Sequence, residues 1–225
     1  MEPQEKSAFE AAILSYWRAP DAGAIIRLFA AEPVGERWRA ATVLTLPVFL
    51  AQVIDRAPEA GAALVDAMRG GDPVKVEIVA QALNYCHHAD RRRLMERLVG
   101  EQAAGAMDLA GADFLDLRPT HPVHVDMLWA AFFATGAASY VERIAQLLGG
   151  WMHEAELQAL LAVAAKDESV REKALGGVLA NAALWSLTVN ARDLPEVKVA
   201  LDAYAQRADG LGSALAARIL AGITG

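Results

Sequence analysis

His121-Pro122-Val123-His124-Val125-Asp126 is the densest run of metal-competent side chains in the chain. Two imidazoles and a carboxylate supply three ligands for a divalent ion if the turn at Pro122 folds back. The run lacks the H-E-x-x-H arrangement, which sets two ligands on one helical face beside a general base. Asp126 also has a plainer role as an acidic residue near a helix start, where the positive end of the backbone dipole favours it. Metal ligation by His121, His124 and Asp126 is thus one of two readings of this stretch. Cys86-His87-His88 is the second cluster. A thiol beside imidazoles suits a thiolate nucleophile or a soft metal ligand. On a helix, however, adjacent residues diverge by about 100° and do not converge on one atom. Cys86 is therefore expected to pack as a small apolar residue, with one histidine facing water.

Other catalytic patterns are missing from the sequence. It has no phosphate-binding glycine loop, no G-x-S-x-G elbow and no paired CxxC. No catalytic residue and no cofactor is assigned, and a binding protein is favoured over an enzyme. Trp129, Phe133 and Tyr140, with Phe132, form an aromatic group that either presents a binding surface or fills the core. Trp17, Trp38, Trp151 and Trp185 are spread along the chain and are expected to pack between successive helix pairs. Arg91-Arg92-Arg93 is the one basic cluster, blunted by Asp90 and Glu96, and reads as a solvated helix face.

The elements that must position these residues are helices. Apolar residues make up 55% of the 225 positions, and 48 of them are alanine, the best helix former because it loses no side-chain entropy on ordering. Leu157, Leu160, Leu161 and Ala164 form one helical stripe, and Val141, Ile144, Ala145 and Leu148 another. Ser139 to Glu142 and Ser169 to Glu172 match the capping box. Asp72-Pro73 offers an N-cap followed by proline at the first helical position, and Asp193 to Glu196 marks another start. Gly70-Gly71, Gly100, Gly149-Gly150 and Gly210 read as stops, and Gly61 as punctuation of the same kind. Residues 43–53 are read as helix with a bend at Pro47. Residues 174–191 carry no charge over nearly the length of a membrane span. The Gly176-Gly177 pair and four polar residues make a buried core helix, with a break, the better reading. Residues 108–125 are poor in periodicity and hold two prolines. They read as an irregular junction in a single helical domain of residues 1–225, between packed halves 1–107 and 126–225 that share a core.

The helices recur in pairs. Leu128 to Leu148 lies over Leu184 to Tyr204 without a gap, so that Leu128-Trp129 falls on Leu184-Trp185. Val79 to Gly100 aligns with the first segment in the same way. The pattern is similar to degenerate helix-pair repeats of the HEAT or tetratricopeptide kind. The block Asp126-Met127-Leu128-Trp129-Ala130-Ala131-Phe132-Phe133-Ala134-Thr135-Gly136, followed by Tyr140-Val141-Glu142-Arg143-Ile144, pairs with a downstream Trp185 to Arg192 block. Together they resemble a bacterial all-helical family with DxLWxxFFATG…YVxRI and WSLxxNA blocks. The resemblance covers roughly the second half of the chain and implies an all-α fold of stacked antiparallel helix pairs. The family has no established activity, so it assigns no functional residue.

Charge narrows the partners. A net charge of −7 opposes nucleic-acid binding, because phosphate repels an acidic surface at long range. The lone Cys86 fits a reducing compartment, and Met1 to Lys6 lacks the basic start and apolar block of a leader. The expectation is a cytoplasmic helical scaffold that binds a protein or peptide, without a membrane span. A helical small-molecule or metal-binding protein with its pocket near residues 108–126 is the alternative, and an enzyme of unrecognised type the third.

Overall fold

A computed structural model describes residues 6–35, 38, 40–165 and 167–224. Met1 to Glu5, most of the stretch read for a leader, lie outside the described residues. Within them the chain forms thirteen α-helices, two short 3₁₀ turns and no strand, with helices packed on one another. The fold is all-α. Consecutive helices are α1 Ala8–Ser15, α2 Ala22–Ala31, α3 Ala40–Arg56, α4 Glu59–Met68, α5 Pro73–Tyr85, α6 Arg91–Val99 and α7 Glu101–Gly105. After an irregular stretch over 106–122 come α8 Val123–Thr135, α9 Ala138–Gln146, α10 Glu154–Val163, α11 Glu168–Asp193, α12 Pro195–Arg207 and α13 Leu211–Thr224. The three segments aligned above are each a helix, a short break and a helix: α5 with α6, α8 with α9, and the end of α11 with α12.

The chain divides into two compact units, one of residues 1–114 with 130–136, the other of residues 115–129 with 137–225. In the first, α3 packs on α4 and α5. Its buried residues run almost without interruption from Leu46 to Ile54, as expected of a helix apolar all round. The helix continues through Pro47. Lys75, on α5, is 7% exposed. Its Nζ donates to the Ala30 carbonyl at 2.8 Å near the end of α2, and lies 5.7 and 5.9 Å from the rings of Phe29 and Trp38. A helix C-terminus and two aromatic faces thus receive this cation. Gly136 closes the unit: its φ of +70° disfavours any other residue, and a Cβ there would sit 2.6 Å from the Trp17 ring.

In the second unit α11 is the hub, touched by α9, α10, α12, α13 and the 3₁₀ turn Leu147–Gly150. The expected stripe Val141, Ile144, Ala145 and Leu148 is fully buried. The stripe on α10 is only partly so, because Leu161 is 42% exposed. The expected break at Gly176-Gly177 does not occur, and α11 runs unbroken for 26 residues. Gly177 serves close approach instead, since a Cβ would meet Met152 and Leu157 at 2.9–3.0 Å. By length and composition alone α11 could cross a membrane, but 44% of its most apolar window is buried among its neighbours.

Several helix starts differ from the expected ones. Ser139 and Ser169 each lie inside the first turn, and α11 is capped by Asp167, which accepts from the Ser169 and Val170 amides. These two bonds and the Ser169 hydroxyl, the strongest of the three, hold the Asp167 carboxyl below its ordinary range. The capping box that does form is Ser7 with Glu10, at the start of α1. Asp72 caps α5 as expected. Gly61 lies within α4, where Leu94 stands 2.9 Å from any added Cβ.

Candidate functional site

The histidines His121 and His124 are held by the entry into α8. The Thr120 amide donates to His124 Nδ1 at 3.0 Å, and the Val123 amide to His121 Nδ1 at 3.2 Å. With Nδ1 accepting, the neutral ring carries its proton on Nε2, so a cation could claim an imidazole lone pair only by breaking a bond at this turn. Burial, and secondly the charge of His121, lowers the His124 pKa. Desolvation raises that of Asp126. Among the described residues no three His, Cys, Asp or Glu side chains gather as a metal set. The visible role of the histidines is to order the start of α8.

Cys86, His87 and His88 do not share a helix. Cys86 is the cap residue after α5, and the histidines lie in the connection to α6. The Cys86 thiol is fully buried, donates to the Leu83 carbonyl at 3.4 Å and is pushed by burial up to about 11. It stays protonated at neutral pH and points inward. His87 is held by Asp55, which accepts from its amide at 2.7 Å and stands 3.3 Å from Nδ1. Such a pair can orient an imidazole as a base. The open depression beside it is lined by Ile54, Asp55, Pro58, His87, His88 and Ala89, with no serine, threonine, cysteine or lysine among them. Arg92 and Arg93 are exposed, as expected of a solvated face, while Arg91 and Arg92 are also bound to the backbone. Arg91 donates to the Cys86 and Leu109 carbonyls, and Arg92 to those of Ala104 and Met107. Only Arg93 pairs with a carboxylate, Asp90.

Trp129, Phe133 and Tyr140 are 5%, 8% and 7% exposed and belong to the interior. Phe133 packs its ring 5.5 Å from that of Trp17. Trp185, expected in the core, is 71% exposed. It begins a second stripe on α11: Trp185, Thr188, Val189 and Arg192 fall at i, i+3, i+4 and i+7, on one face. Leu187, Ala183, Ala180 and Ala191 bury the opposite face.

This stripe forms one wall of a groove in the second unit. Two adjoining depressions, of about 340 and 660 Å³, share Trp151, Leu184, Thr188 and Arg192. Leu215, Ile219 and Arg218 of α13 form the other wall of the smaller one. Met152 and Glu154 border the larger. Trp151 is placed there by the 3₁₀ turn before it, and its ring meets His153 edge-on at 4.9 Å. The depressions are open to solvent along α11 and mostly apolar. Among the described residues Arg192 and Arg218 make no hydrogen bond or ion pair, whereas Arg118 and Arg207 in the same unit hold Glu172 and Glu142.

The signal for this groove lay in the sequence. Residues 184–189 are apolar on both sides of one helix, more than a single buried face requires. No protein-family model, curated protein or solved structure matches the chain.

Proposed function

We propose that this chain is a non-enzymatic helical binding module whose groove along α11, bordered by α13 and by Trp151 to Glu154, takes a peptide segment of another protein. The observation that carries the reading is Trp185, a large aromatic left 71% exposed beside Val189 at 39% on a stripe in register with the groove. Contact residues of this kind, Trp and Arg above all, dominate the energetics of protein interfaces. The groove is an open trough along α11, with α13 bordering its smaller part and Trp151, Met152 and Glu154 its larger part, the shape that receives a peptide and not one that engulfs a small ligand.

Affinity capture with the wild-type chain and with Trp185→Ala tests this. The expected result is a discrete partner retained by the wild type and lost by the variant, at unchanged helicity and Tm. Identical partner sets for both proteins overturn the groove as the binding site.

A further inference from the structure

We infer that the occupant of the groove along α11 is an acidic amphipathic peptide, with carboxylates set against Arg192 and Arg218 and bulky apolar side chains against Trp151, Leu184 and Trp185. The inference rests on the groove reading above and adds the partner's chemistry. The chain carries a net charge of −7, and in the second unit Arg118, Arg143, Arg171 and Arg207 each hold a carbonyl or a carboxylate. At the groove two guanidiniums stand without such a partner among the described residues, both bordering the smaller depression and one shared with the larger. Among the described residues the one carboxylate at the border, Glu154, lies on the larger depression and accepts from Gln158 at 2.7 Å. A carboxylate is the ligand that guanidinium geometry matches in two parallel bonds. A basic segment would meet two like charges there, and a purely apolar one would cover them unpaired. A second copy of this chain would have to bring such a carboxylate beside an apolar run of its own.

Selection of random peptides of about 12 residues, roughly 18 Å as a helix, on the immobilised full chain tests the inference, with counter-selection on Trp185→Ala. Winners enriched in Asp or Glu beside Leu, Phe or Trp are expected. Their binding should weaken by about tenfold on Arg192→Ala with Arg218→Ala. Selection on Arg192→Glu with Arg218→Glu should turn the enrichment towards Lys and Arg. Trp185-dependent winners without acidic residues, indifferent to both double variants, overturn the acidic partner and leave the groove standing. An absence of Trp185-dependent winners overturns both. So does a dimer, in sedimentation of the free chain, that Trp185→Ala dissociates, since a second copy then fills the groove.

Discussion

Asp126 is exposed in the first turn of α8, yet partial loss of water raises its carboxyl above the ordinary value of 3.8, and no hydrogen bond among the described residues offsets that loss. Between 3.8 and the raised native value, the folded chain binds a proton that the unfolded chain has released. Stability therefore falls as pH rises through the native value and stays lowered at neutral pH. Asp126→Asn keeps the shape and removes the charge. It should raise Tm at pH 7 only slightly, because the exposed carboxylate is screened by solvent, and the two melting curves should converge as the pH is taken down to 3.8. An unchanged or lower Tm at pH 7 would mean that the dipole of α8 outweighs the desolvation. At this scale the sequence reveals which residues cluster but not which atoms remain free. His121 and His124 are neighbours on paper and in space, yet their Nδ1 atoms are taken by the amides of Val123 and Thr120. Those bonds depend on where α8 begins, which no residue type specifies.

Helices carry most of what the sequence makes legible. Val141, Ile144, Ala145 and Leu148 announce a buried stripe because four apolar residues at that spacing have only one way to leave water together. Asp72-Pro73 announces a start because proline tolerates few other helical positions. Ser139 and Ser169 mislead because S-x-x-E occurs equally well two residues past the cap position, which Ala137 and Asp167 occupy. Trp185 misleads because α11 is apolar on two faces, and a pattern without one dominant face does not say which is covered. Gly176-Gly177 misleads because glycine both ends helices and lets them approach closely. The glycines separate into testable classes. Gly176 faces open space within α11, so Gly176→Ala should stabilise by about 1 kcal/mol, raising Tm by about 2–4 °C. Gly136 combines a φ of +70° with the Trp17 ring, so Gly136→Ala should destabilise by about 1–2 kcal/mol from the backbone alone, and further from the overlap. Thermal melts of the two variants should therefore move in opposite directions, and a shift of both in one direction would contradict this reading.

Over the whole molecule, the sole thiol is a reporter of the first unit. Cys86 is fully buried and its proton is held to about pH 11, so a thiol reagent near neutral pH can reach it only when the surrounding helices open. Labelling should be slow in the native protein and should accelerate with denaturant in step with loss of helix. Rapid labelling without denaturant would show that this region opens readily. The first unit also takes its material from two separate stretches of chain. The rings of Phe132 and Phe133 that meet Trp17, and the Ala134 and Thr135 carbonyls that receive Arg56, all come after residue 129. On the ribosome, then, the nascent chain cannot complete this unit when its first 114 residues emerge. Trp17 and Arg56 have to wait for the end of α8 to be synthesised, and a fragment cut at residue 114 would leave both without those contacts.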